Sequence, residues 1–142
     1  MVYHAYRIVV SKSKQFIVEY TVPSDQVPSG QSVYADIIDG SGSYTGSPQE
    51  MSRVGSTDVV KTTLTAPSTV GKYEIQVWIG TWDGTNRSIT ETVGWIGLEV
   101  VDKDIDDRLS DVESQLSTIQ SQLSTINDNI ETIMKWMKRH PL

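Results

Sequence analysis

The sequence predicts an all-β sandwich of six or seven strands followed by one long α-helix that forms a parallel oligomeric coiled coil. Three observations carry this. Up to about residue 101 the chain is rich in Val, Ile, Thr and Tyr, in short alternating runs separated by Gly, Pro, Ser and Asp. From Ile105 onward the apolar residues recur at alternating intervals of three and four. The length, 142 residues, leaves room for one compact domain and a single extended element. The predicted division is 1–101 for the sandwich, 102–107 for an acidic linker and helix start, and 105–139 for the coiled-coil helix.

Taken in order, strands are expected near 2–10, 15–22, 31–38, 57–65, 72–82 and 88–101. In the second run Phe16, Val18 and Tyr20 share one face while Glu19 and Thr21 share the other, as a half-buried strand requires. In the fifth, Tyr73, Ile75, Val77 and Ile79 point one way and Glu74, Gln76 and Trp78 the other. Asp83-Gly84 supplies turn chemistry between Trp82 and Arg87, so the last two strands form a hairpin. Residues 39–56 hold too much Gly and Ser for a strong strand and read as a long solvated crossover between the two sheets.

The segment Ala66-Pro67-Ser68-Thr69-Val70-Gly71-Lys72-Tyr73-Glu74-Ile75 resembles the turn that enters the penultimate strand of immunoglobulin-like and fibronectin-like domains. The resemblance implies that Tyr73 forms a tyrosine corner. It also implies that Ile75 fills the position where antibody domains place a cysteine. Both antibody cysteines are missing, so the likeness concerns architecture alone.

The helix seam comprises Ile105, Leu109, Val112, Leu116, Ile119, Leu123, Ile126, Ile130, Ile133 and Met137. A 3.5-residue period keeps a narrow apolar stripe on one side of a slightly supercoiled helix, and that stripe must meet partner helices. The hexapeptide Ser114-Gln115-Leu116-Ser117-Thr118-Ile119 recurs unchanged at 121–126. Asp104 is a candidate N-cap, Asp106 and Asp107 fall in the first turn, and Lys135, Lys138, Arg139 and His140 crowd the last turn before Pro141. At about 1.5 Å per residue the helix is roughly 50 Å long.

Spacing also assigns the heptad. Leu109, Leu116, Leu123, Ile130 and Met137 take a positions, and Ile105, Val112, Ile119, Ile126 and Ile133 take d positions. Leu at a with β-branched residues at d disfavours a parallel dimer and shifts preference to three or four strands. The flanking Gln115, Gln120, Gln122, Asn127 and Asn129 are uncharged, and Met134 and Trp136 widen the apolar face near the end. A homotetramer is favoured over a homotrimer, with antiparallel pairing as the competing arrangement.

Composition excludes several functions. The net charge of −6 divides evenly, with seven basic and ten acidic side chains over 1–101 and five and eight over 102–142. Neither part offers a phosphate-binding surface, so no nucleic acid is expected. There is no cysteine, which removes disulfides, thiolate metal sites and cysteine nucleophiles. The two histidines, His4 and His140, lie at opposite ends of the sequence, so no catalytic triad is expected and the chain reads as a non-enzyme without cofactors. Asp36 and Asp39 flank Ile37-Ile38 and make a weak calcium candidate; a solvated strand end is the plainer reading, and no metal is expected.

Two surface features remain. Trp78 and Trp82 lie on the polar side of the fifth run and Trp95 shares a face with Glu99, which makes them a candidate platform for sugar rings or a neighbouring protein if that side is exposed. Edge packing is the alternative. Asn86-Arg87-Ser88 fits the N-glycosylation sequon in the hairpin loop, which matters only for an exported chain.

A sandwich head on an oligomeric stalk, rich in Ser and Thr and free of Cys, resembles virion spikes, tail or baseplate components and stalk subunits of archaeal surface layers. The resemblance implies a structural or adhesive protein at a virion or extracellular surface. Its partners are then copies of itself first, and other surface or virion proteins or glycans second. Residues 1–10 carry no basic leader or long apolar core, so they do not read as a signal peptide. That favours a virion component over an exported surface-layer or adhesion subunit. A multivalent carbohydrate-binding module is a third reading. No apolar run reaches the roughly 20 residues of a membrane span, so no insertion is expected.

Overall fold

A computed structural model describes residues 6–140. The chain divides into two compact units, residues 1–104 and 105–142. Eight strands are described in the first: β1 (Arg7–Ser11), β2 (Gln15–Thr21), β3 (Ser32–Ile38), β4 (Gln49–Glu50), β5 (Ser52–Arg53), β6 (Val59–Thr65), β7 (Gly71–Trp82) and β8 (Arg87–Val101). The second unit holds α1 (Ile105–Arg139).

Two sheets form the sandwich. One has the order β1-β8-β7-β3-β4 and the other β2-β6-β5. β1 runs parallel to β8, while the other pairings are antiparallel. Alternation dictates which side chains face inward. Val18 and Tyr20 of β2, Val33, Ala35 and Ile37 of β3, and Ile75, Val77 and Ile79 of β7 all join one core. Leu64 of β6 and Ile96, Leu98 and Val100 of β8 close it.

Several boundaries differ from the sequence expectation. The first strand begins at Arg7 and ends at Ser11; the expected positions 2–5 lie outside the described residues. Within 39–56 the chain forms β4 on the edge of one sheet and β5 on the edge of the other. A two-residue strand has no room for periodicity, so neither was legible locally. The count is therefore eight described strands rather than six or seven.

The first compact unit ends at Asp104. The Asp104 amide donates to Ser11 Oγ at 2.9 Å, and its carboxylate accepts from Lys14 Nζ at 2.9 Å and from the Ser11 amide at 3.2 Å. These bonds hold the end of the unit against the turn between β1 and β2.

The β7–β8 hairpin is shaped by its turn and by two irregularities of register, at Val77/Trp78 and Ile79/Gly80. In the turn Gly84 adopts φ 96°, and Asp83 Oδ1 accepts from the amides of Thr85 and Asn86. At Gly80 a Cβ would collide with the Ser88 carbonyl and press on the Trp78 ring. Gly80→Ala is therefore expected to lower the unfolding free energy by about 1–3 kcal/mol in a urea titration. A neutral result would show that β8 can shift there without loss.

Before β7 the Tyr73 hydroxyl donates to the Thr69 carbonyl at 2.8 Å. Tyr73→Phe keeps the ring and removes this bond, and a loss of about 1 kcal/mol is expected by denaturant unfolding. An unchanged midpoint would mean that water replaces the bond at no cost.

Candidate functional site

α1 runs for 35 residues, with Asp106 and Asp107 in its first turn and Lys138 and Arg139 in its last. Acid at the N-terminus and base at the C-terminus both complement the helix dipole. Within the single chain all ten seam residues are 49–81 % exposed, in one unbroken row from Ile105 to Met137. Met134 and Trp136 beside the row are equally open. On the polar flank Thr118, Thr125 and Thr132 donate to the carbonyls of Ser114, Ser121 and Asp128, one bond per heptad. Those hydroxyls are turned back on their own helix.

A second cluster lies on the outer face of the five-stranded sheet, and it corrects the tryptophan expectation. Trp78 is fully buried there and cannot serve as an exposed platform. Its ring stacks on Tyr34 with centroids 4.6 Å apart, and its Nε1 donates to Asp36 Oδ2 at 2.7 Å. Asp36, 2 % exposed, also accepts from Arg87 Nε at 2.9 Å and Nη2 at 2.8 Å. Tyr44 covers the Arg87 guanidinium at 3.7 Å, and the Trp82 ring lies 5.2 Å away on the same group. Tyr44 then donates to Gln76 Oε1 at 2.9 Å, and Gln76 Nε2 to Thr92 at 2.9 Å. The bond to Asp36 raises the Arg87 pKa, while burial, then the Asp36 charge, raises that of Tyr44.

The outer face thus carries a polar and aromatic layer of its own. Trp95 stands opposite Gln76 and remains 37 % exposed, and Trp82 is half-buried. Sequence reasoning missed Arg87 and Tyr44 as members. A signal was present in Asp36, a charge at the centre of the apolar run Tyr34 to Ile38, which calls for a buried cation.

The remaining candidates separate. Asp36 is committed to Trp78 and Arg87, whereas half-buried Asp39 accepts from the hydroxyl of Ser41 and the amides of Ser43 and Ser41. Those bonds, the Ser41 hydroxyl foremost, hold the Asp39 carboxyl below its ordinary range. The two carboxylates are thus held by different partners. Among the described residues no group of three or more His, Asp or Glu is placed to hold a metal. His140 packs its ring against Trp136 at 4.5 Å, and His4 lies outside the described residues. Asn86 is exposed in the hairpin turn. Among the described residues no helix is long and apolar enough to cross a membrane.

By class the chain is a two-sheet β-sandwich with one long C-terminal helix. No protein-family model and no curated protein matches it. Among solved structures it is similar to a provisionally assigned glycoside hydrolase from Bacteroides vulgatus, at 13 % identity and a TM-score of 0.39. The match covers 68 % of this chain and 17 % of that one, a likeness too slight to carry an argument.

Proposed function

We propose that this chain is a non-enzymatic structural or adhesive protein, a component of a virion surface or tail, assembled through a parallel bundle of its C-terminal helices. Four copies are favoured over three. The observation that carries the reading is the row of ten half-open seam residues on α1. A continuous apolar stripe about 50 Å long gains free energy only by leaving water, and its heptad spacing fits knobs-into-holes packing against like helices.

The head is read as immunoglobulin-like. The order β8-β7-β3-β4 over β2-β6-β5, together with the Tyr73 to Thr69 bond, supports that type. Light scattering on the intact protein tests the assembly: a mass three or four times the 15.8 kDa protomer is expected, and one protomer mass would end the reading.

An exported surface-layer or adhesion subunit is the second reading, favoured by the exposure of Asn86 in its sequon. The carbohydrate-binding reading is weaker, since burial of Trp78 leaves Trp82 and Trp95 as separate rings rather than a platform of three.

A further inference from the structure

The heptad of α1 places one more side chain on the seam than the apolar row itself. Ile133 takes a d position, and seven residues on, His140 takes the next. The helical register holds that far, because the His140 amide donates to the Trp136 carbonyl at 3.1 Å. The last d position therefore carries an imidazole, where the five before it carry Ile or Val.

Its charged neighbours lie on the other side of the helix. Lys135, Lys138 and Arg139 fall at f, b and c, the positions that face water in a bundle, so none of these three cations points along the seam. Met137, at the preceding a position, is apolar. The Trp136 ring packs against the imidazole with centroids 4.5 Å apart and planes 36° from parallel, a contact made through the ring face rather than the nitrogens at its edge. A single chain brings no group of three ligating side chains together among its described residues, so a site here needs the partner copies.

In a parallel bundle equivalent d residues share one layer around the axis. With neighbouring helix axes about 10 Å apart and Cα atoms about 2.3 Å from each, the d-layer Cα atoms of a tetramer lie about 5 Å from the bundle axis. An imidazole spans that gap, and its ring nitrogen reaches the roughly 2 Å from the axis that a metal–nitrogen bond requires.

We propose that the His140 side chains of the assembled copies form a ring that binds one divalent transition-metal ion, of the Zn2+ type, at the C-terminal end of the stalk. The inference rests on the parallel bundle proposed above. Imidazole suits such ions, whereas Ca2+ and Mg2+ take oxygen ligands. Zn2+ has no geometric preference of its own, so it accepts four imidazoles of a tetramer or three of a trimer with water in the fourth place. The ion ties the helices together at their last layer, where helix ends otherwise fray.

The test titrates Zn2+ by calorimetry into the intact protein, free of any affinity tag, with the assembly mass read by light scattering in the same buffer. One ion per assembly is expected. Excess Zn2+ should raise the helical melting midpoint by about 5 °C or more, and a chelator should reverse the shift. His140→Ala is expected to keep the assembly mass and lose both the binding and the shift, whereas His4→Ala keeps both. An assembly of three or four copies that binds no Zn2+, binds one ion per chain, or binds equally well as His140→Ala overturns the metal site and leaves the bundle standing. A wild-type mass of one protomer overturns both.

Discussion

On the proposed helix-bundle assembly, replacing Leu116 and Leu123 together with Asp is expected to leave a monomer of 15.8 kDa with a folded head. Both residues occupy a positions in the middle of the seam, and both are more than half exposed in the single chain. In a parallel bundle each would be enclosed by its equivalents from the other copies. A carboxylate there loses its water and gains only like charges as neighbours, which costs far more than the packing of adjacent layers returns. The substitutions leave the sandwich unit untouched, because the two units are compact on their own. Light scattering should give one protomer mass, and circular dichroism should retain the β signal while helical content falls. A variant that still assembles would show that the heptads are not the device, and the stalk reading would fail with it.

Asp36→Ala is expected to cost the head about 3–5 kcal/mol, the range for removing one partner of a buried ion pair. The carboxylate accepts three hydrogen bonds, one from Trp78 and two from Arg87, and its loss strands the indole N–H and leaves the guanidinium with the Gly46 carbonyl but no counter-charge from Asp36. Domains are stable by about 5–15 kcal/mol, so this is a large share of the total. Chemical denaturation should place the midpoint well below that of wild type. Combining Asp36→Leu with Arg87→Met removes both charges and should recover most of the loss, leaving the indole N–H as the remaining deficit. If Asp36→Ala unfolds within about 1 kcal/mol of wild type, the outer-face network is not what secures Trp78 and Tyr44.

What could be read locally and what could not follow from the range of the forces involved. The alternation of Phe16, Val18 and Tyr20, the Asp83-Gly84 turn and the seam from Ile105 to Met137 are set by periods of two and 3.5 residues, and each is visible within a dozen positions. The sequence by itself therefore determined the two-part organisation, the strand-rich head and the apolar stripe of the helix. Only the tertiary structure decided that Trp78 is buried on a face whose pattern reads as solvated. Asp36 lies 42 residues from Trp78 and 51 from Arg87, and Arg87 reads as a hairpin-loop residue until the strands pair. A charge becomes tolerable in a sheet through neighbours brought together by strand pairing, and period-2 alternation along one strand carries no record of them.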